Sequence, residues 1–193
     1  MSEADPIVRF SESYARAQQS ESFDAARAAL ATADASGMPS VRFVLIKRFD
    51  ARGFVVFTHL GSRKAREMRE NPRAALSFHW STTGEQVRIE GVVEPVSDAE
   101  ADDYFAARPR GSQLGAWASE QSTILHARTE LEARVRELES RFAEREVARP
   151  PGWGGLRIVP SSLEFWRDRA DRLHDRELYT RAGAGWTTVL LAP

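Results

Sequence analysis

The chain has 193 residues, is 42% hydrophobic and 28% charged, and carries a formal net charge of −1 and no cysteine. That suits one globular domain with a sizeable core, and the near-neutral balance excludes a global field for nucleic acid or an anionic membrane. Without cysteine there is no disulfide, thiolate metal site or cysteine nucleophile, and no apolar run approaches the roughly 20 residues that span a bilayer.

The first residues, Met1-Ser2-Glu3-Ala4-Asp5, show neither the basic region nor the apolar core of a signal peptide, so a cytoplasmic location is expected. Residues 5–20 place Ile7, Phe10 and Tyr14 on one helical stripe, a packing helix. The run from Ala28 to Asp34, the turn Asp34-Ala35-Ser36-Gly37 and the run Val41 to Lys47 read as a β-hairpin. A turn at Asp50-Ala51-Arg52-Gly53 leads to Phe54-Val55-Val56-Phe57-Thr58, and three strands on short turns predict an antiparallel meander.

Ser62 is placed to cap a short helix running to about Arg69. Arg63 and Lys64 put two cations at its N-terminus, where the dipole disfavours them unless an anion lies between. Solvated charges are the alternative. The strand Ala74–Phe78, a turn at Thr82-Thr83-Gly84 and a long strand from Gln86 to Val96 follow. Ser97-Asp98-Ala99-Glu100 is a capping box for a helix that sets Tyr104 and Arg108 one turn apart. Arg108-Pro109-Arg110-Gly111-Ser112 then reads as a cationic bend suited to a small phosphate, though such bends also occur in bland loops. Gln113 to Ser122 is a small-residue segment around Trp117. A second capping box at Thr129–Glu132 opens a helix with Leu131, Val135, Leu138 and Phe142 on one stripe. Residues 149–155 read as an aperiodic linker.

Three strands close the chain: Leu163–Trp166, a stretch beginning at Arg172-Leu173-His174-Asp175-Arg176, and Trp186–Leu191. If 172–176 is extended, Arg172, His174 and Arg176 share a face. Two guanidiniums around an imidazole suit an anionic ligand with a polar reacting centre; a solvated strand face is the alternative. Of 27 basic residues only Lys47 and Lys64 are lysine, leaving 25 arginines. In so skewed a composition a surviving lysine marks a place for a compact ammonium, unless chance kept it. No His, Asp and Glu cluster has metal-ligand spacing and no P-loop or dinucleotide fingerprint is present, so no metal is expected.

Taken together, Arg42 to Lys47, Gly61-Ser62-Arg63-Lys64, Tyr104 through Ser112, Gly115-Ala116-Trp117, Gln121-Ser122, Phe165-Trp166, Arg172 to Arg176 and the ending Leu191-Ala192-Pro193 resemble the pyridoxamine 5′-phosphate oxidase family, from about Asp5 to Pro193. The resemblance implies a mainly β fold with flanking helices, an FMN-binding split β-barrel spanning residues 1–193 as one domain, with strands in 155–193 completing the site. It implies a homodimer with FMN at the interface.

Arg42, Arg63 and Lys64 correspond to contacts at the FMN phosphate and ribityl end, and Ser62 to a cofactor-binding position beside them. Lys47, Phe57, Thr58, Gln86, Gln121, Ser122, Trp166 and Arg176 correspond to further cofactor positions. Lys47, Tyr104, Arg108 and Ser112 match substrate-binding positions, chiefly for phosphate, and Arg172 and His174 match catalytic contacts near the reacting carbon. The implied reaction passes a hydride from C4′ of pyridoxamine or pyridoxine 5′-phosphate to flavin N5, gives pyridoxal 5′-phosphate, and returns the flavin with oxygen to yield hydrogen peroxide. A phenazine-type flavin oxidase and a non-catalytic FMN- or pyridoxal-phosphate-binding protein are the alternatives. Three departures stand out: a late start that shortens any N-terminal cover, Gly84-Glu85 before Gln86 where an arginine is usual, and Phe57 where the aromatic often carries a hydroxyl.

Overall fold

The computed structural model describes residues 5–193; Met1-Ser2-Glu3-Ala4, on which the reading of a leaderless start chiefly rests, lie outside the described residues. Asp5 caps the first helix, α1 (Pro6–Ser20), by accepting from the Ile7 amide at 2.8 Å, and Pro6 supplies a first-turn φ already suited to a helix. Of the stripe predicted for α1, Ile7 and Phe10 are buried and Tyr14 is half-buried; Ala17, outside that prediction, is buried with them. Phe10 meets Phe49, Phe54, Phe78 and Trp80 with ring centroids 4.8–5.9 Å apart, largely edge-on. Aromatic contacts of this kind add about 0.5–1.5 kcal/mol each beyond area burial.

The strands are β1 (Arg27–Ala33), β2 (Pro39–Leu45), β3 (Arg48–Asp50), β4 (Gly53–His59), β5 (Arg73–Trp80), β6 (Glu85–Pro95), β7 (Trp153–Arg167), β8 (Asp175–Ala182) and β9 (Gly185–Leu190). All pair antiparallel in one nine-stranded sheet of order β2-β1-β5-β6-β7-β4-β3, with β8 on β7 and β9 on β8. One transverse row runs Arg42, Leu30, Leu76, Ile89, Leu163, Tyr179 across six strands. Cross-strand partners share a face, so Arg42 is the polar end of a core row. Its neighbours Val41, Phe43 and Leu45 point the other way and are 70%, 73% and 49% exposed.

The β6–β7 register slips by one residue between Glu90 and Gly91, leaving Ser161 as the extra residue on β7. A Cβ on Gly91 would lie 2.1 Å from the Val159 carbonyl oxygen, so only glycine lets the two backbones approach there.

The helices are α2 (Arg63–Glu70), α3 (Asp98–Ala106), α4 (Arg110–Ala118) and α5 (Arg128–Arg141). Ser97 caps α3 through the Glu100 amide, as the capping box requires. A second core of Phe105, Leu114, Phe142, Val147 and Trp153 lies beneath α3 to α5.

Several local expectations are corrected. The β1–β2 hairpin forms, but β4 does not continue it: β4 pairs with β3 and β7 and stands across the sheet from β2, so there is no three-strand meander. Arg110-Gly111-Ser112 is the first turn of α4 and not a bend. α5 starts at Arg128 without a side-chain cap, one residue before the Thr129 box. The linker ends early, because β7 begins at Trp153 and runs 15 residues.

The central stretch 172–176 is not extended. Asp171 and Arg172 adopt φ of 57° and 62° in a 3-10 turn over Ala170–Arg172, and β8 begins only at Asp175. The strand argument that put Arg172, His174 and Arg176 on one face therefore fails for Arg172.

Candidate active site

Three clusters gather the residues singled out above. The first lies where β4 turns into α2. Ser62 occupies the N-cap of α2, but its hydroxyl makes no capping bond; it accepts instead from Lys64 Nζ at 3.3 Å. Lys64 Nζ also donates to Thr58 Oγ1 at 3.1 Å and to Gln121 Oε1 at 3.0 Å. Thr58 donates to the same Gln121 oxygen at 2.9 Å, and Ser122 Oγ accepts from the Arg63 amide at 3.1 Å. Among the described residues, all the oxygens bonded to Lys64 are neutral. Burial lowers the Lys64 pKa, and the nearby Arg42 guanidinium lowers it further.

Arg42 and Arg63 meet instead on Glu67, through Arg42 Nη2 at 3.2 Å and Arg63 Nε at 2.7 Å. Burial pushes the Glu67 carboxyl up, but bonds from Ser40, Thr32 and Arg63 pull it down further, to about 2. Sequence reasoning missed Glu67, although its spacing of four from Arg63 on a short helix was a visible signal.

The second cluster is a row on three strands: Gln86 on β6 faces Trp166 on β7, which faces Arg176 on β8. Gln86, Trp166, His174 and Arg176 line one cavity of about 370 Å³ beside Arg9 of α1. Arg176 is held by Glu164, Nε to Oε1 at 2.8 Å, and by the Ala192 carbonyl at 2.9 Å. The His174 ring lies against Trp166, centroids 4.4 Å apart. Its Nδ1 is 3.1 Å from Asp168 Oδ1 and 3.2 Å from the Arg169 amide nitrogen. A protonated Nδ1 donates to Asp168; a bare one accepts from Arg169. Arg172 is exposed in the left-handed turn just before, outside the cavity lining.

The third cluster stands on the second core. Tyr104 stacks on Phe57 at 3.8 Å with planes 5° apart, and Arg108 covers Trp153 at 4.9 Å. Burial lowers the Arg108 pKa, with Tyr104 opposing, and burial raises the Tyr104 pKa, with Arg108, Lys47 and Arg48 opposing. Lys47 lies just past the end of β2 and is paired with Asp24 at 2.5 Å, a partner the sequence did not disclose. Strict alternation would have sent Arg42 and Lys47 to opposite faces of one strand, but β2 ends at Leu45 and Lys47 is free of that constraint. Ser112 is half-buried in the first turn of α4.

The first and third clusters join at Phe57 and Thr58, neighbours on β4. The second stands apart. Thr58 pairs with Gly154 and Gln86 with Trp166 on the same strand β7, positions up to about 40 Å apart along a straight strand.

A family profile described as pyridoxamine 5′-phosphate oxidase matches residues 17–142, and one described as the pyridoxine 5′-phosphate oxidase C-terminal dimerisation region matches residues 153–193. The chain belongs to the pyridoxamine 5′-phosphate oxidase family.

Within this family the chain is similar to the pyridoxine/pyridoxamine 5′-phosphate oxidase of Anaeromyxobacter dehalogenans, with 57% identity over 98% of this chain and 96% of the relative. The enzyme of the same name from Myxococcus xanthus is 54% identical over 98% and 92%. Among solved structures, PhzG from Burkholderia lata, in complex with tetrahydrophenazine-1-carboxylic acid, is 34% identical with a TM-score of 0.93, covering 99% of this chain and 94% of that one. A pyridoxamine 5′-phosphate oxidase-related, FMN binding protein from Nostoc punctiforme, 18% identical over the whole of both chains with a TM-score of 0.79, shares the fold, the split barrel that the family resemblance implied. No helix among the described residues is long and apolar enough to cross a membrane, and no group of three or more metal-ligating side chains occurs among them.

Proposed function

We propose that this chain is an FMN-dependent oxidase that converts pyridoxamine or pyridoxine 5′-phosphate into pyridoxal 5′-phosphate, for the synthesis and salvage of that coenzyme in the cytoplasm. One observation carries the reading: two adjoining clusters each hold a partly buried cation without an acidic partner among the described residues. Lys64 has only neutral oxygens around it, and Arg108 keeps a buried Nη1 with no hydrogen-bond partner among the described residues. Removing a cation from water without a counter-charge is costly, and a phosphate on each relieves it. A flavin mononucleotide and a phosphorylated substrate bring two phosphates.

The donor set of the first cluster fits the FMN phosphate: an ammonium, a guanidinium whose Nη groups stay available, and hydroxyls on Thr58, Ser62 and Ser122. FMN held there would supply the redox chemistry, the two-electron oxidation of the substrate at C4′ with oxygen as the final acceptor. The protein's part is to bind and orient. Lys47, Tyr104, Arg108 and Ser112 hold the substrate by its phosphate. His174, oriented by Asp168 and the Arg169 amide, offers its imidazole beside the reacting carbon, and Arg172 stabilises charge at the pyridine oxygen.

Gln86, Trp166 and Arg176 complete the flavin site from a second copy of the chain. Three facts support this homodimer: the distance along β7 between the half-sites, the match of residues 153–193 to a dimerisation region, and the exposed apolar stripe Val41, Phe43, Leu45 on the strand that carries Arg42. The test is an absorption spectrum of the purified protein under anaerobic conditions. The flavin bands are expected, bleaching on addition of pyridoxamine 5′-phosphate and returning with oxygen. A colourless protein, or a yellow one that does not bleach, overturns the reading.

The likeness to PhzG favours a second reading, a phenazine-type flavin oxidase. The two readings part on the substrate: the first expects pyridoxamine 5′-phosphate to bleach the flavin, the second expects a reduced phenazine carboxylate to bleach it and pyridoxamine 5′-phosphate to leave it oxidised.

A further inference from the structure

Glu67 is an anion in a place that charge alone would deny it. It sits one helical turn from Arg63, beside Lys64, and only 4% of its surface is exposed. Oε1 accepts from Arg63 Nε at 2.7 Å. Oε2 accepts from Thr32 Oγ1 at 2.5 Å, Ser40 Oγ at 2.6 Å and Arg42 Nη2 at 3.2 Å. Four donors saturate a carboxylate. Thr32 and Ser40 face each other on β1 and β2, so the carboxylate ties α2 to the hairpin that carries Arg42.

The same bonds decide what the arginines have left. Arg42 gives Nη1 to the Leu30 carbonyl and Thr32 Oγ1, and Nη2 to Ser40 and Glu67. Arg63 gives Glu67 only its Nε, keeping both Nη groups on a side chain that is 57% exposed. A planar guanidinium gripped at one edge presents its other edge in a fixed direction, which a free side chain does not. Pinning α2 to the sheet would not require this, since Ala65 and Met68 already bury its inner face. Nor would stability favour a buried ion pair over apolar packing of similar volume.

We propose that Glu67 is the positioning residue of the phosphate site. It grips Arg42 and Arg63 from behind, fixes the edge that Arg63 turns to the phosphate, and trims the charge of the cradle from three positive to two, the match of a phosphate dianion. The proposal rests on the FMN reading above.

The test titrates the apoprotein with FMN and with riboflavin, following flavin fluorescence, for the unmodified chain, Glu67→Gln, Arg63→Gln and the double variant. Glu67→Gln is expected to raise the Kd for FMN about tenfold, the scale of one charge-assisted bond, and to leave riboflavin unchanged. On the Arg63→Gln background the same substitution costs FMN less, because part of its action runs through Arg63. Equal losses for both flavins, an undiminished loss on the Arg63→Gln background, or tighter FMN binding once the negative charge is gone overturns the proposal. An unmodified chain that binds FMN and riboflavin alike overturns the FMN reading itself, and this proposal with it. Should Glu67→Gln not fold, Ser40→Ala removes one donor at a half-buried strand position; it is expected to weaken FMN about two- to fivefold with riboflavin untouched, and a change without that selectivity sinks the idea.

Discussion

The guanidinium of Arg108 lies 4.9 Å above the Trp153 ring while its buried Nη1 has no hydrogen-bond partner among the described residues. The ring face offsets part of the desolvation but cannot accept as an oxygen would. Arg108 is thus a stability cost retained at the proposed substrate-phosphate position. Arg108→Met is expected to raise Tm by about 2–4 °C and to raise the KM for the phosphorylated substrate at least about tenfold, with FMN content unchanged. Thermal melts and steady-state kinetics check this together; a destabilised variant with its parental KM contradicts it.

Lys64 lies at the centre of the first cluster with hydroxyl and amide oxygens only. Lys64→Glu replaces its charge with one that repels phosphate. Affinity for FMN is expected to fall roughly 10- to 100-fold or more, from a bond worth about 1.5–3 kcal/mol plus the new repulsion. Substrate affinity of the reconstituted protein falls far less. Flavin titration measures the first and anaerobic substrate titration the second.

In the proposed homodimer the half-sites on β4–α2 and on β6–β7–β8 meet across two copies of the chain. Dilution to monomer is expected to release FMN, and Phe43→Glu, which puts a charge in the exposed apolar stripe, to favour the monomer and lower flavin content. Sedimentation and absorbance on one sample decide it. A monomer that keeps its flavin would contradict the shared site.

Glu67 gives a pH prediction with a definite sign. Its carboxyl is lowered from 4.5 to about 2 in the folded chain, so it contributes stability that is fully present above about pH 4.5 and lost as pH falls towards 2. That amounts to about 3 kcal/mol at neutral pH. The stability gap between the unmodified chain and Glu67→Gln is therefore expected to be constant from pH 5 to 8 and to close below about 4.5. Urea unfolding at a series of pH values reads the gap directly. A gap that stays constant down to pH 3 shows that this carboxyl is not the one titrating.

Arg172 and His174 sit on a turn and not on a strand. Arg172→Ala is expected to slow anaerobic flavin reduction at least tenfold and to weaken substrate binding, with FMN content near normal. Because Arg172 has φ of 62°, Arg172→Gly removes the same side chain without the left-handed strain that alanine meets. It should be the more stable of the two and equally slow. His174→Asn, which keeps a hydrogen bond but cannot take a proton, is expected to lose less. Stopped-flow bleaching separates these outcomes from loss of cofactor.

Much of the chain was legible before folding. The stripe of Ile7 and Phe10, the Ser97–Glu100 box and the turns at Gly37 and Gly53 are signals carried by residues within a few positions of each other, because capping, turn conformation and side-chain periodicity are decided by local geometry. The scarcity of lysine singled out Lys47 and Lys64 by composition alone. Tertiary structure decided the rest. The wide separation of β4 from β2 in the sheet follows from which ladders bury the most apolar surface, and no short-range pattern encodes it. The acids facing the cations, Glu67 on Arg42, Asp24 on Lys47 and Glu164 on Arg176, come from other elements, so which guanidinium stays free for a ligand cannot be read along the chain. The stretch 172–176 shows the limit most plainly. Its residues suit a strand, but the strand β8 pairs with β7 only as far as Asp175–Arg167, and beyond that last rung nothing holds the backbone extended, so Asp171 and Arg172 turn into the left-handed region and carry the arginine off the face that alternation had assigned it.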